Sequence, residues 1–164
     1  MSGKISQISV RMIFLLVLAV AGATISPAQE QTVFGAEEAI KNPAKIPVEI
    51  MRQLKRDRRV KQCAVEKGAV KSGWFSAAAV DLNGDQETDY VVKAENSCLF
   101  GANLAPFWVF HNLTHRYSLV LRADTLGLEI MPETTEDYHN IKLSRATAVE
   151  TGENIVKFDG AKYH

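Results

Sequence analysis

The spacing of apolar residues changes along the chain, and its first regular stretch predicts a helix. Val48, Met51 and Leu54 follow Pro47 at intervals of three residues, and lysine and arginine fill many of the positions around them. This spacing predicts one amphipathic helix from Val48 to about Arg59. Its basic face is a candidate surface for membrane phospholipid or cell-wall polymer, although the charged faces of small helices are usually only solvated.

Beyond Gly73 the apolar residues recur with a period of two, and turn residues interrupt them. This pattern predicts antiparallel strands, because the connections are too short for crossover helices. About seven strands are expected, at residues 74–80, 90–94, 107–111, 117–122, 128–131, 141–148 and 154–158. The predicted fold class is α+β, with the N-terminal helix packed on an antiparallel β-meander that curls into a sandwich or half-barrel.

The aromatic strand at residues 107–111 should be covered on both faces. Phe107 and Val109 point away from Trp108 and Phe110 in an extended chain, so one pair faces the core and the helix covers the other. Packing in the core is therefore favoured over an exposed aromatic platform for a ligand.

The N-terminal residues have the layout of a Sec signal peptide. Lys4 and Arg11 precede the apolar run at 12–22, and small residues follow it up to Ala28. The run is about 11 residues long, whereas a membrane span needs about 20. We expect cleavage after Ala28, with Ala23 as the alternative, and a mature protein that is periplasmic or secreted without stable membrane insertion.

The domain organisation expected from these patterns is simple. Residues 1–28 form the signal peptide, 29–47 a flexible lead-in that contains glycine and prolines, and 48–164 a single α+β domain.

Charge is unevenly distributed in the expected mature chain. Loss of Lys4 and Arg11 leaves 17 basic and 19 acidic residues; residues 41–71 carry a local charge of +7 and residues 73–164 a local charge of −6. Mutual neutralisation within one fold is the favoured interpretation, and a dedicated anion-binding face is the alternative. Nucleic acid is not expected as a partner, because the chain lacks the overall basic charge that such binding usually shows.

The two cysteines of the chain are Cys63 and Cys98. Paired thiols in an oxidising compartment normally form a disulfide, and no C-x-x-C spacing indicates a metal or redox site. We therefore predict one Cys63–Cys98 bridge.

One predicted hairpin loop carries oxygen-bearing side chains at alternating positions. Asp81, Asn83 and Asp85 occupy loop positions 1, 3 and 5, and Asp89 occupies position 9. Ca²⁺ takes six to eight oxygen ligands, so these side chains, together with the Glu87 carbonyl, are a candidate low-affinity calcium site.

The stretch Val80-Asp-Leu-Asn-Gly-Asp, followed by Asp89-Tyr-Val-Val, resembles the calcium loop of FG-GAP and VCBS repeats over about 13 residues. The resemblance implies Ca²⁺ bound by Asp81, Asn83, Asp85 and Asp89 in a structural role. Those repeats prefer glycine at position 6, where this chain has Gln86. The sequence around the later strands is similar to small, uncharacterised exported bacterial proteins. That similarity does not indicate a particular activity.

A polar β-turn is the alternative for this loop. In that case Asn83 and Gly84 supply the left-handed residues, and the acidic side chains cap backbone N–H groups without binding metal.

The function expected from the sequence is that of an exported, non-enzymatic binding or structural module with a calcium loop, one disulfide and an unknown protein or cell-envelope partner. One alternative is an inhibitor of a secreted hydrolase. Another is a divalent-metal-dependent hydrolase that uses the same loop with a nearby histidine, for which His111, His115 and His139 are candidates.

Overall fold

Eight strands and two helices follow one another in the computed structural model, which describes residues 31–101, 104–114, 116–146 and 151–164. The helices are α1 (Val48–Leu54) and α2 (Arg58–Lys67). The strands are β1 (Val33–Gly35), β2 (Phe75–Val80), β3 (Asp89–Ala94), β4 (Ala105–Asn112), β5 (Tyr117–Thr125), β6 (Gly127–Thr135), β7 (Tyr138–Ala146) and β8 (Thr151–Val156). The predicted signal peptide at 1–28 lies outside the described residues.

The strands form two four-stranded antiparallel sheets. One sheet has the order β2-β3-β4-β5, and the other has the order β1-β6-β7-β8. Neighbouring strands are mostly consecutive in the chain, because short turns can join only antiparallel neighbours. The prediction of a β-rich α+β fold is confirmed, with eight strands where about seven are predicted.

Strand β1 was not predicted, because it lies in the segment interpreted as a lead-in. It pairs with β6, with Val33 opposite Glu129 and Gly35 opposite Gly127. The side chain of Phe34 is 1% exposed and belongs to the core between the sheets. Three residues give too short an alternation to stand out in a sequence.

The predicted single helix is two helices, because the first ends at Leu54 with Lys55 as its C-cap and Asp57 caps the start of the second. The first helix stops at Leu54, and the Asp57 carboxylate accepts the backbone N–H groups of Arg59 at 2.8 Å and Val60 at 3.2 Å. An aspartate in this position caps a new helix, so the prediction of continuous helix to Arg59 is wrong. No helix among the described residues is long and apolar enough to cross a membrane.

Two hydrophobic clusters divide the molecule into three layers. The larger cluster lies between the two sheets and includes Phe107 and Val109 of β4. The smaller cluster lies between the helices and the other face of the β2–β5 sheet, and it includes Trp108 and Phe110. The prediction that alternate residues of this strand face a core and the helix layer is confirmed.

Candidate functional site

The loop 81–88 joins β2 to β3 at one end of the first sheet. Val80 and Asp89 are the last residue pair between these two strands, so the loop begins and ends at a fixed position. The predicted site residues therefore lie together on one hairpin connection.

The Asp81 carboxylate is the centre around which the loop backbone wraps. Its Oδ1 accepts the N–H groups of Asn83 at 3.2 Å and Gly84 at 2.8 Å, and its Oδ2 accepts the N–H of Gln86 at 3.2 Å. Short aspartate side chains readily accept such local backbone bonds. Asp81 thus fixes the conformation of the loop.

Two residues of the loop have left-handed backbone conformations. Gly84 has φ of 74° and Gln86 has φ of 67°. The polar-turn alternative expected both Asn83 and Gly84 in that region; Gly84 lies there, whereas Asn83 does not and Gln86 does. Gln86 therefore adopts the conformation for which calcium loops prefer glycine, at a cost of about 1 kcal/mol.

Asn83 and Asp85 lie side by side on the exposed side of the loop. The Asn83 Nδ2 donates to Asp85 Oδ2 at 2.9 Å, and Asp85 Oδ1 accepts the N–H of Glu87 at 2.7 Å. The hydrogen bonds from the Asn83 amide and the Glu87 N–H lower the pKa of Asp85. Asp85 therefore remains ionised at neutral pH and is accessible to a cation.

Asp89 differs from the other acidic residues because it turns into the protein and is fully buried. Its Oδ2 accepts the Leu82 N–H at 2.9 Å, and its Oδ1 accepts the Asn112 N–H at 2.7 Å and contacts His111 Nδ1 at 3.0 Å. Burial raises the pKa of Asp89, and these hydrogen bonds oppose that rise. The carboxylate closes the hairpin and ties it to the end of β4.

A hydrogen-bond chain continues from Asp89 into the second sheet. His111 Nε2 lies 2.9 Å from the Tyr138 hydroxyl, which in turn lies 3.4 Å from Asn83 Nδ2. Tyr138 belongs to β7, so the chain joins β3 and β4 to the opposite sheet. Asn112 adds a contact from its Nδ2 to Glu87 Oε2 at 3.2 Å.

The sequence named His111 only as one of three candidate histidines for the hydrolase alternative, and it did not identify Asn112 and Tyr138 as partners of the loop. The missing information was strand register: Tyr90 pairs with Phe110, which places Asp89 beside His111. Correct alignment of the two strands would have revealed the contact.

The five predicted site residues do not all converge. Asp81, Asn83 and Asp85 are joined by hydrogen bonds within the loop, whereas the side chains of Glu87 and Asp89 bond to residues of β4. In the part of the chain that the structure describes, no group of three acidic, histidine or cysteine side chains is arranged to hold a metal ion. A cation between Asn83 and Asp85 would require rotation of the Asn83 amide, so that its oxygen replaces its nitrogen.

The candidate histidines have different surroundings. His111 is buried and uses both ring nitrogens, and His115 lies outside the described residues. His139 and Asp81 line a common cavity of about 300 Å³, and the His139 Nδ1 is buried without a hydrogen-bond partner among the described residues.

The predicted pairing of the cysteines agrees with the structure. The sulfur atoms of Cys63 and Cys98 lie 2.15 Å apart, at disulfide distance. This bond ties α2 to the turn that follows β3.

Comparison of the chain with protein-family models, curated proteins and solved structures found no match. The structure defines the protein at the level of fold class: a β-rich α+β protein with one disulfide-distance cysteine pair.

Proposed function

We propose that the protein is an exported, non-enzymatic binding or structural module whose 81–89 loop takes up Ca²⁺. The observation that carries this proposal is that Asp81, Asn83 and Asp85 are held together on one short loop; the backbone N–H groups that Asp81 accepts fix that loop, as the polar-turn alternative also expects. This conformation keeps the side chains of Asn83 and Asp85 in contact. Hard oxygen atoms close together on a short loop are the ligands that Ca²⁺ prefers.

The ligands in this proposal come mainly from alternate loop positions. Asp81 and Asp85 supply carboxylate oxygens, Asn83 supplies its amide oxygen after rotation, and the Glu87 backbone supplies a carbonyl. Asp89 could bind the ion only if it lost one of its buried hydrogen bonds. Its main role is therefore to hold the two ends of the loop together. Water completes the six to eight ligands of the ion.

The ion would have a structural role and would add only modestly to the free energy of unfolding. Extracellular calcium modules bind with Kd of about 0.1–1 mM. At about 1 mM Ca²⁺ this affinity contributes about 0.4–1.4 kcal/mol to the free energy of unfolding. The ion therefore stabilises the hairpin without driving folding.

The test is calorimetric titration of the oxidised protein with Ca²⁺ and Mg²⁺, combined with thermal melts in Ca²⁺ and in EDTA. The variant Asp85→Ala should lose the calcium-dependent rise in Tm. Asp159→Ala is the matched control, because Asp159 also accepts two backbone N–H groups in an exposed turn, at 2.9 and 2.8 Å. Identical melting with and without EDTA, and no heat of binding at millimolar Ca²⁺, would contradict the proposal.

We also propose a periplasmic or secreted location and a protein or cell-envelope partner. The disulfide-distance pair supports an oxidising compartment. Mass determination of the N-terminus after cell fractionation tests export, and an intact N-terminus on cytoplasmic protein would contradict it.

A divalent-metal-dependent hydrolase is the second candidate, and the surroundings of His139 favour it. Its buried Nδ1 has no partner among the described residues, and its side chain shares a cavity with Asp81. A metal at Asp81 would lower the pKa of a bound water, and His139 as general base would take the proton of that water. Ester or phosphodiester hydrolysis that requires added metal and is lost in His139→Gln would favour this candidate over the binding module.

A further inference from the structure

The two helices form an outer layer on one face of the β2–β5 sheet, and this helix layer, residues 48–67, is strongly basic. It contains seven basic and three acidic residues, a net charge of +4. Among the described residues, two ion pairs join it to the sheet: Arg59 with Asp124 at 2.8 Å, and Asp57 with Arg122 at 3.0 Å. One pair engages a base of the layer and the other an acid, so its excess of positive charge is not reduced.

The other basic side chains of the helix layer are free. Each is exposed, and none forms an ion pair or hydrogen bond with a described residue. They are Arg52, Lys55, Arg56, Arg58, Lys61 and Lys67. Because nothing in the described part of the chain neutralises these groups, an anionic partner can approach them without breaking an existing contact.

In α1, an exposed valine and two bases share the side that faces away from the sheet. Ile50 and Leu54 are buried against the sheet. Val48, Arg52 and the C-cap Lys55 lie on the opposite side, since residues three or four positions apart share one face of a helix. Val48 is 75% exposed. The outer side of α1 thus combines positive charge with an exposed apolar side chain.

The second helix repeats this combination. Val60 and Cys63 are buried against the sheet, and Arg58, Lys61 and Val65 lie on the opposite side of α2. Val65 is 87% exposed. Water is an unfavourable environment for an apolar side chain, so a partner that covers both valines gains from their burial. Both helices therefore present the same chemistry to one side of the molecule.

The opposite outer layer, the sheet β1-β6-β7-β8, exposes acidic residues. Glu133 is exposed on β6, and Glu136 and Asp137 are exposed in the turn to β7. Opposite charge on opposite layers orients a protein near a charged surface. A negatively charged surface would therefore attract the helix layer and repel the far sheet.

We propose that the helix layer docks the protein peripherally on a bilayer surface rich in anionic phospholipid, with phosphatidylglycerol as the head group. Lysine and arginine near such a surface each strengthen binding, and exposed apolar side chains of a helix enter the head-group region. The two exposed valines favour a bilayer over a soluble polyanion, which needs only charge. This inference deepens the proposal of a cell-envelope partner and rests on export, but it does not depend on calcium binding.

The test is co-sedimentation of the protein with vesicles of equal parts phosphatidylglycerol and phosphatidylcholine in EDTA. The oxidised protein without residues 1–28 is used, so the result depends neither on export nor on calcium. Binding should be saturable and absent with phosphatidylcholine alone. It should also be lost between about 0.1 M and about 1 M salt, because the Debye length falls from about 10 Å to about 3 Å. Equal binding to both kinds of vesicle, or binding to neither, would overturn the proposal.

Charge variants separate the helix layer from general attraction. The double variant Arg58→Gln with Lys61→Gln should weaken binding about 25-fold, since each base near an anionic surface contributes about fivefold. Lys157→Gln with Lys162→Gln is the matched control, because both lysines are exposed outside the helix layer and the same charge is removed. An equal loss of affinity in the two double variants would contradict docking through the helices. Circular dichroism checks that each variant is folded.

A tryptophan on each outer layer tests the orientation. Tryptophan favours the membrane interface, so Val65→Trp should bind the anionic vesicles more tightly and shift its emission to the blue. Ile155→Trp, at a half-exposed position of β8 in the far sheet, should do neither. The native Trp74 and Trp108 are buried and give a constant background. A blue shift in Ile155→Trp alone, or soluble polyphosphate bound as tightly as the vesicles, would overturn the proposal.

Discussion

Replacement of Asp89 by alanine should destabilise the protein strongly even when no calcium is present. The carboxylate accepts the backbone N–H groups of Leu82 and Asn112 and contacts His111, and all of these atoms are buried or partly buried. Each buried donor left without an acceptor costs about 1–3 kcal/mol. Two backbone donors therefore give about 2–6 kcal/mol.

Two effects place the expected loss in the lower half of that range. The variant no longer buries a carboxylate whose pKa is raised by desolvation, and this relief offsets part of the cost. Water that enters the vacated space can also satisfy one donor. We expect a loss of about 3 kcal/mol, a large part of the roughly 5–15 kcal/mol that stabilises a typical domain.

The assay is urea unfolding of the oxidised protein in EDTA, monitored by circular dichroism. Asp89→Asn should also be destabilised, because its amide nitrogen would face one of the two backbone donors. Glu133→Ala, at an exposed position, is the control and should change little. A loss below about 1 kcal/mol in Asp89→Ala would refute the assignment of Asp89 as the acceptor that closes the hairpin.

Two further predictions concern the loop and the helix cap. Gln86→Gly should raise the free energy of unfolding by about 1 kcal/mol, because it removes the strain of a positive φ; an unchanged or lower value in chemical denaturation would contradict the loop conformation. For Asp57, a pKa below its unfolded value means that the ionised side chain stabilises the fold above about pH 4, and this contribution is lost as the pH falls through the folded pKa. The stability difference between the wild type and Asp57→Asn should therefore be largest near neutral pH and shrink in acid, and a difference that is constant down to pH 2 would contradict the ionised cap.

The features that the sequence predicted well depend on local periodicity. The alternation of Phe107, Trp108, Val109 and Phe110 was sufficient to assign two opposite core faces to β4, because side-chain direction in a strand is fixed by residue number. The positions of Asp81, Asn83 and Asp85 on one hairpin loop were also predictable, since the strands on both sides have clear patterns. The local sequence pattern thus predicted the two buried faces of β4 and the position of the candidate loop.

The features that the sequence did not predict depend on competition between two local preferences of the chain, or on the pairing of strands that are far apart in the sequence. Periodicity alone extended the first helix to Arg59, whereas the capping preference of Asp57 divides it in two. Strand β1 is stabilised by β6, nearly a hundred residues later in the chain, and its own three residues carry little signal. The inward turn of Asp89 likewise follows from the register of β3 against β4, which no residue of the loop encodes.

The contacts of the loop explain why an ion bound there would have a structural role. Asn83 lies at one end of a polar chain that runs through Tyr138 and His111 to Asp89, and the Tyr138 ring stacks on Phe158 with centroids 3.9 Å apart. Phe158 belongs to the core between the two sheets. After the rotation of the Asn83 amide that a cation requires, the Asn83 oxygen can accept the Tyr138 hydroxyl in place of the present contact. A cation that fixes Asn83 and Asp85 would therefore also restrain Tyr138, which touches both the hairpin and the inter-sheet core. Occupation of the loop would then stabilise the packing of one sheet on the other, whereas an ion held only by exposed side chains would stabilise the loop alone.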